Sequence, residues 1–291
     1  MDDISELSDT ATRSAVQSPR LADFRPGASM ADKRPIRTDI PHSARIWNYW
    51  LGGRDYYEAD RMAGEAGVAG YPEIKAMAIQ SRQFLIRAVQ YLAADAGIRQ
   101  FLDIGTGLPT MQNTHEVAQA AAPDSRIVYV DNDPLVLAHA RALLVNTTDE
   151  GVTTYLEADF HQPDVILADA RNVLNFSKPI AVLFIGVLGH ARSYGEVRRV
   201  VDAMMDGVPS GSYLALNDGA TDDRAYVRMC ENYAKTGGVP YNPRSSAEIT
   251  GIFEGLELVE PGVVPINHWR TDEAAHGIRG TSAWGGVGRK P

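Results

Sequence analysis

Short apolar runs alternate with stretches of helical spacing from about residue 97 to the end of the chain. The predicted strands are RQFLDI, RIVYVD, TTYLEA, IAVLFIGVL, SYLALND, GLELVE and TSAWGGVG, and helices are predicted at 110–122, 134–145, 164–171, 193–206, 220–236 and 245–253. Strands that are apolar throughout and joined by helices are typical of a mainly parallel sheet buried on both faces. No helix separates the last two runs, which predicts a hairpin and an antiparallel edge.

The chain before this pattern has helical periodicity from about residue 41 to residue 95. PHSARIWNYWLGG places Ile46, Tyr49 and Trp50 at i, i+3 and i+4 and ends at Gly52-Gly53, a helix-stopping pair. The segments DYYEADRMAGEAG and YPEIKAMAIQSRQFLIRAVQYLAADAG continue the helical pattern. Residues 1–38 are rich in Ser, Asp, Arg and Pro without periodicity. We therefore predict a disordered arm at 1–38, a helical lid region at 39–96 and an α/β domain at 97–291.

The composition is that of an ordinary globular protein and narrows the range of partners. Of 291 residues, 44% are hydrophobic, as in ordinary globular domains. The net charge of -9 argues against electrostatic binding of nucleic acid. Cys230 is the single cysteine, so an internal disulfide and a cysteine-based zinc site are both excluded. The histidines are not paired at ligand spacing, and we expect no metal. Without a long apolar run or a signal peptide, we expect a cytoplasmic protein that does not bind membranes.

The first strand of the α/β region ends in a glycine turn, within FLDIGTGLPT. Ligands of doubly wound sheets bind at the carboxyl ends of the strands. Gly105 and Gly107 can adopt backbone angles that other residues avoid, and they have no side chain to hold a ligand away. A lone G-x-G pair also fits an ordinary strand-to-helix turn, so the turn alone does not assign a ligand.

An acid at the end of the second strand points to a ribose. Asp131 ends RIVYVD, 24 positions after Gly107, close to the roughly 20 expected between a glycine turn and a ribose-binding acid. Asp133 precedes Pro134 and is predicted to cap the next helix. Asp131 is thereby left available to accept both ribose hydroxyls.

The third strand ends in Asp159 and Phe160. A carboxylate at this position is suited to accept the amino hydrogen of adenine, and an aromatic ring beside it to pack on the base. A solvent-exposed loop acid is the alternative interpretation of Asp159. Acids at three successive strand ends nevertheless favour a nucleoside site.

The turn favours S-adenosylmethionine over a dinucleotide. A pyrophosphate requires backbone N–H donors and a third glycine, but Pro109 lacks an N–H and no glycine follows it in the turn. S-adenosylmethionine has no phosphate, and its cationic amino group suits Asp103, which would repel a pyrophosphate. A nicotinamide dehydrogenase is further disfavoured because the chain lacks a Tyr-x-x-x-Lys pair after the fourth strand.

The sequence resembles the class I, Rossmann-like S-adenosylmethionine-dependent methyltransferases, and more narrowly an actinobacterial family of S-adenosyl methyltransferases that was long a domain of unknown function. The resemblance covers about residues 39–291 and rests on PHSARIWNYWLGGRDYYEADR, SRQFLIRAVQYLA, FLDIGTGLPT, VYVDNDPLVLAHARALL and GLELVEPGVVPINHWR. It implies a seven-stranded sheet of order 3-2-1-4-5-7-6 with strand 7 antiparallel. The general class usually carries a third glycine where Pro109 stands.

The resemblance also implies the parts of the cofactor site. Asp103, Gly105 and Gly107 would line the methionine end, Asp131 would bind ribose and Asp159 adenine. We add three neighbours of these residues and one strand-end glycine to the predicted site: Thr106, Asn132, Phe160 and Gly186.

Residues after the fourth strand are the candidates for chemistry. Methyl transfer requires a general base only when the acceptor must lose a proton. His190, in GVLGHARSYGEV, is the candidate base, and an ordinary loop histidine is the alternative. Asp218, after the fifth strand, is interpreted either as a residue that orients the acceptor or as a helix cap.

The aromatic helix WNYWLGGRDYY has two interpretations. Aromatic residues at helical spacing most often pack in a core. N-terminal additions in the resembled class often cover the cofactor, so we also predict a lid with Tyr49, Gly53 and Arg54 near the ligand.

The sequence as a whole predicts an S-adenosylmethionine-dependent methyltransferase that acts on a small molecule. A protein that binds S-adenosylmethionine or S-adenosylhomocysteine and regulates a partner without catalysis is the alternative.

Overall fold

A computed structural model of the protein describes residues 36–109, 112–143, 145–271 and 281–291, and these belong to one structural unit. Residues 1–35 of the predicted disordered arm lie outside the described residues, as does the predicted helix start at Thr110. The predicted boundary between a lid region and an α/β domain at residues 96 and 97 stays a prediction.

The helices and strands of the described chain follow the predicted alternation. The first part contains α1 (Ser43–Trp50), α2 (Glu58–Gly70) and α3 (Ile74–Ala94). The α/β part contains β1 (Gln100–Ile104), α4 (Thr114–Ala121), β2 (Arg126–Asp131), α5 (Pro134–Leu143), β3 (Val152–Glu157), α6 (Pro163–Ala170), β4 (Ala181–Ile185), α7 (Tyr194–Gly207), β5 (Tyr213–Gly219), α8 (Arg224–Ala234), α9 (Ser246–Gly251), β6 (Glu257–Leu258), β7 (Val264–Pro265) and β8 (Ala283–Arg289). Short 3-10 helices span Leu188–His190 and Ile266–His268.

The strands form a single mixed sheet in the order β3-β2-β1-β4-β5-β8-β6, with β7 paired to β8. Strands β1 to β5 are parallel, and β8 runs antiparallel to β5, β6 and β7. Because β8 is the predicted seventh strand, this order confirms the one implied by the resemblance. The predicted antiparallel edge is confirmed too, because β6 and β8 pair antiparallel. The two-residue strand β7, which lies between them in the chain and pairs with β8, was not predicted because it is too short to leave a sequence pattern.

Helices cover both faces of the sheet, as the uniformly apolar strands predicted. Phe101, Ile127 and Leu183 pack in one cluster with α3 and α4. Leu102 and Val182 pack in a second cluster with α6, α7 and α9. Successive residues of a strand point to opposite faces, so all five positions of β1 are buried. The carboxyl ends of the central strands are therefore the place where a ligand can reach the middle of the sheet.

Helix α4 begins later than predicted, at Thr114 rather than near residue 110. The Asn113 and Glu116 side chains form a capping box. The Asn113 side chain accepts from the Glu116 backbone N–H, and the Glu116 side chain accepts from the Asn113 backbone N–H. The letters NTHE carry that signal, which our prediction overlooked. The turn after Gly107 is thus longer than a dinucleotide-binding turn, whose helix begins at once.

Candidate functional site

A cavity of about 1060 Å³, called here the main cavity, opens at the carboxyl ends of β1, β2, β3 and β4. The structure brings together around it all the residues predicted for the cofactor and the candidate base: Asp103, Gly105, Thr106, Gly107, Asp131, Asn132, Asp159, Phe160, Gly186 and His190. Helices α1 and α3 and the segment 237–242 contribute further walls. Pockets of about 300–1000 Å³ hold one drug-sized ligand, so the volume is sufficient for a nucleoside and a small acceptor.

The cavity wall requires glycine at two points, one in the turn after β1 and one directly after β4. Gly105 has φ of +70°, and a Cβ at this position would lie 2.3 Å from Cγ2 of Val187. Gly186 has φ of +74°, and a Cβ there would lie 3.8 Å from Cζ2 of Trp47. Positive φ is strained for residues with a side chain. Both positions therefore keep backbone at the surface of the cavity.

Asp103 is a buried carboxyl at the floor of the main cavity. Its Oδ2 accepts a hydrogen bond of 2.6 Å from Thr114 Oγ1. Burial raises the pKa of Asp103 to about 6, although the Thr114 hydroxyl and the Arg82 guanidinium favour the ionised form. A cation bound here would restore a low pKa, because an opposite charge stabilises the carboxylate.

Asp133 caps α5 as predicted, and Asp131 is held by two backbone N–H groups. Asp133 Oδ1 accepts from the Leu135 N–H at 2.8 Å, which confirms the helix cap on α5. The two oxygens of Asp131 accept from the N–H groups of Gly107 and Asp133, each at 2.9 Å. Burial raises the pKa of Asp131, and these two backbone hydrogen bonds oppose the rise. A carboxylate oxygen has two lone pairs, so each oxygen can still accept a hydroxyl.

Asp159 and its neighbours form the third strand-end group. Asp159 Oδ1 accepts from His161 Nδ1 at 2.6 Å, and the Phe160 and His161 rings lie 3.9 Å apart between centroids. Burial alone would raise the pKa of Asp159, but the hydrogen bonds from His161 and Asn132 lower it overall. Asp159 is thus an ionised acceptor, held in place at the rim of the cavity.

His190 closes the short 3-10 helix after β4. Its Nδ1 lies 3.0 Å from the carbonyl oxygen of Pro240. A carbonyl only accepts, so Nδ1 carries the proton and Nε2 has the lone pair in the neutral ring. Burial lowers the pKa of His190, while the carbonyls of Pro240 and Val239 act in the opposite direction. The imidazole is therefore neutral at pH 7, as a general base must be.

Asp218 supports a loop and does not cap a helix. The N-cap of α8 is Asp223, which accepts from the Ala225 N–H at 2.6 Å, so the cap interpretation of Asp218 was wrong. Asp218 instead accepts a hydrogen bond from the Tyr241 hydroxyl and pairs with Arg244 at 3.6 Å. Burial raises its pKa to about 6 against these two contacts. It is not among the described residues that line the main cavity.

The lid prediction identified the right helix but the wrong face of it. Among the described residues that line the main cavity, α1 and the residue after it contribute Ser43, Ala44, Trp47, Asn48 and Leu51, and Tyr49, Gly53 and Arg54 are not included. Four of the lining residues follow the i, i+3, i+4, i+7 spacing of a single helix face. The residues we predicted fall outside that face.

Each of the three misassigned residues has a different position. The Tyr49 ring packs on Gly64 of α2 and meets the Tyr56 ring edge-on at 5.2 Å. Arg54 is exposed. Gly53 acts indirectly: a Cβ there would lie 2.3 Å from Oδ1 of Asn48, which accepts from the Asp55 N–H. The glycine therefore makes room for a side chain that does line the cavity.

Several lining residues were missed in the sequence. Arg82 and Ser81 of α3 reach the main cavity. Their segment, SRQFLIRAVQYLA, contributed to the family resemblance but was not predicted to line the site. His161 lies within DFHQP, and its place beside Asp159 was readable as a potential hydrogen bond. Gly237, Gly238 and Pro240 follow α8 in a glycine- and proline-rich turn that also signalled a loop. Among the described residues, no cluster of His, Cys, Asp and Glu could hold a metal ion.

Comparisons with known proteins assign the family. The family model described as S-adenosyl methyltransferase matches residues 29–291. A DUF574 family protein from Streptomyces avermitilis is 43% identical and has a TM-score of 0.84, over 88% of this chain and 100% of its own. A candidate methyltransferase from Thermobifida fusca is 40% identical with a TM-score of 0.81, over 88% of this chain and 97% of its own.

The search of curated proteins found no match to the chain. Within the described ranges, none of the helices is long and apolar enough to cross a bilayer. The comparisons lend no support to the alternative of a non-catalytic regulatory protein. With a model match over most of its length and two relatives above 30% identity, the chain belongs to the S-adenosyl methyltransferase family.

Proposed function

We propose that the main cavity binds S-adenosylmethionine and that the protein transfers its methyl group to a small-molecule acceptor. The observation that carries the proposal is the convergence of Asp103, Asp131 and Asp159, from three adjacent strands, on one cavity beside a glycine turn. The acidic net charge of -9 favours a small acceptor over nucleic acid. We retain the cytoplasm as the proposed location.

The side chains that line the main cavity match each part of S-adenosylmethionine. Asp103 would hold the amino group, and Arg82, on the same wall of the cavity, would hold the carboxylate of the methionine end. Asp131, with Asn132 beside it, would accept the ribose hydroxyls. Asp159 would accept from the adenine amino group, with Phe160 packed on the base. The pairing of one acid and one arginine with the two charges of an amino acid is the strongest part of this match.

When bound, S-adenosylmethionine supplies a methyl group on a sulfonium, which is already activated for in-line displacement. The protein's part is to position both reactants and exclude water. Gly105 and Gly186 add no side-chain bulk to the cavity wall, and Trp47 of α1 and Leu51, which follows α1, line the same cavity. His190 is placed to take a proton from an acceptor that must lose one.

Calorimetric titration of S-adenosylmethionine, S-adenosylhomocysteine and NAD tests the proposal. We expect the first two to bind and NAD not to bind. Asp131→Ala should weaken both by about tenfold or more, because two hydrogen bonds from ribose are lost. Asp124→Ala, which removes an exposed acid outside the cavity, is the matched control. A preference for NAD, or no effect of Asp131→Ala in a folded protein, would contradict the proposal.

A further inference from the structure

A second cavity of about 140 Å³, called here the small cavity, lies between α1, α2 and α8 and adjoins the main cavity. Ser43, Trp47 and His190 line both cavities. Trp47 also faces Gly186, the strand-end glycine of the proposed methyl-donor site. The candidate base and an aromatic wall thus stand where the two cavities meet.

The walls of the small cavity are apolar and aromatic. Trp50 and Ile46 of α1 face Met229 and Tyr226 of α8 across it. Helix α2 contributes only small residues, which are spaced at i, i+3, i+4 and i+7 along one face: Ala63, Ala66, Gly67 and Gly70. A Cβ at Gly67 would lie 2.9 Å from Cζ2 of Trp50. Gly67 therefore makes room for the Trp50 ring against α2, and the other α2 residues on this face extend no further than a methyl group towards the small cavity.

The charges around the small cavity restrict what can enter. Among the described residues that line it, none is an Asp, Glu, Lys or Arg. An ammonium or carboxylate group would be desolvated there without an ionic partner, which disfavours a charged acceptor. The hydroxyl of Tyr241 is already engaged by Asp218. His190 is consequently the lining residue equipped to receive a proton.

The size of the small cavity sets the size of the occupant. An apolar cavity of roughly 150 Å³ holds one benzene ring, which is close to the volume found. The rim is formed by the exposed residues Ala66, Gly70 and Asn232, so an acceptor can enter from solvent without passing through the main cavity.

We propose that the small cavity is the acceptor site and that it takes an uncharged, single-ring aromatic compound whose hydroxyl group points to His190. This inference rests on the proposed function. The hydroxyl oxygen forms a bond to the methyl carbon as the carbon–sulfur bond breaks and its electron pair stays on sulfur. Nε2 of His190 takes the hydroxyl proton and later releases it to solvent. The products are an aryl methyl ether and the neutral thioether of the donor.

Three probes of equal size and different charge test the site. 4-Ethylphenol, 4-methylbenzylamine and benzoate are each supplied with S-adenosylmethionine, and formation of S-adenosylhomocysteine is followed. We expect kcat/KM for the phenol to exceed that for either charged probe by about tenfold or more. Equal or faster methylation of the amine or the acid would overturn the inference.

Variants of α2 locate the binding. Ala63→Leu and Ala66→Leu fill the small cavity and should raise KM for the phenol by about tenfold. Ala69→Leu, on the exposed face of the same helix, should leave KM unchanged. Ala66 is exposed, so its variant is expected to fold even if Ala63→Leu does not. If both folded variants behave like Ala69→Leu, the small cavity is not the acceptor site.

His190→Ala separates catalysis from binding. Loss of a general base should lower kcat for the phenol by about 100-fold or more while 4-ethylphenol still binds, as measured by ligand-observed NMR with S-adenosylhomocysteine present. Calorimetry on the same samples reports the donor site. If wild type binds S-adenosylhomocysteine but neither binds nor methylates the phenol, the inference falls and the proposed function stands. If wild type does not bind S-adenosylhomocysteine, both fall.

Discussion

Arg82 shows how much a single residue can depend on its tertiary position. In the sequence it belongs to an ordinary amphipathic segment, SRQFLIRAV. In the fold, α3 carries it to the wall of the main cavity, where its charge acts on Asp103. Burial lowers the pKa of its guanidinium, and Asp103 opposes that change. A partly buried cation on a cavity wall is stabilised by an anionic ligand as its partner.

Replacement of Arg82 tests its proposed contact with the donor's carboxylate. Arg82→Ala should weaken S-adenosylmethionine binding by about 1.5–3 kcal/mol, the usual worth of a hydrogen bond to a charged group. Decarboxylated S-adenosylmethionine should bind wild type and variant alike. Calorimetry with both ligands measures the difference, and Arg82→Lys should show an intermediate loss because it keeps the charge without the forked geometry. Equal weakening of both ligands would show that Arg82 does not bind the carboxylate.

The raised pKa of Asp103 predicts a pH dependence of donor binding. The free carboxyl has a pKa of about 6, and a bound ammonium favours the ionised form. Below that pH the cation must displace a proton. Affinity should therefore fall as the pH drops below about 6, by up to about tenfold per unit, with proton release on binding.

Titrations on both sides of pH 6, in buffers of different ionisation enthalpy, measure the affinity and the released protons together. Asp103→Asn should bind weakly at every pH and lose this dependence. Thr114, Arg82, Asp131 and Thr106 all act on Asp103. The same titration of Arg82→Ala shows how the pKa of Asp103 responds to the loss of one of them. A pH dependence that survives in Asp103→Asn would assign it to another group.

At the level of elements, α1 is held in place by buried charges. Arg45 lies 3.3 Å from Asp133, the cap of α5, and 3.7 Å from Asp60 of α2. All three side chains are almost fully buried. These ion pairs connect the helix that covers the main cavity to the end of β2, next to Asp131.

Loss of Arg45 should destabilise the protein strongly. Arg45→Met leaves two buried carboxylates without their arginine, with only backbone N–H groups and His42 as remaining partners. Removal of one member of a buried ion pair typically costs about 3–5 kcal/mol. Arg61→Met removes exposed pairs with Glu58 and Glu65 on α2 and should cost about 1 kcal/mol or less. Urea unfolding measures both. Similar losses in the two variants would mean that the buried pairs contribute no more than the exposed ones.

For the whole molecule, the last strand of the chain is an interior strand. Strand β8 pairs along its length with β5 on one side and with β6 and β7 on the other. Removal of residues 283–291 would leave the edge of β5 unpaired and expose apolar core, including the buried Val287. Although it removes only the end of the chain, this truncation should abolish folding.

Circular dichroism and thermal unfolding test this expectation. The truncated protein should lack a cooperative transition, while a chain that lacks only the exposed Pro291 should unfold like wild type. A cooperative transition with retained binding of S-adenosylhomocysteine in the truncated protein would show that β8 is dispensable.

Features that depend on residues close together in the chain were predictable from the sequence, and features that depend on contacts between distant segments were not. Uniformly apolar strands predicted a sheet with helices on both faces, because each buried position in a strand is occupied by an apolar residue. The acids at residues 103, 131 and 159 were identified because strand ends meet at one edge of a parallel sheet. The start of α4 was readable from its capping box and was missed. The cavity-facing side of α1 was not readable, because aromatic residues stand on more than one face, at Trp47, Tyr49 and Trp50.

The sequence by itself determined the order of elements, the turn and the three strand-end acids, since these depend on local periodicity and on one topological rule. Only the tertiary structure decided that Arg82 reaches the cavity, that Gly53 makes room for Asn48, and that His190 stands between two cavities. Each of these depends on contacts between segments far apart in the chain, and such contacts are set by packing, which leaves no fixed spacing in the sequence.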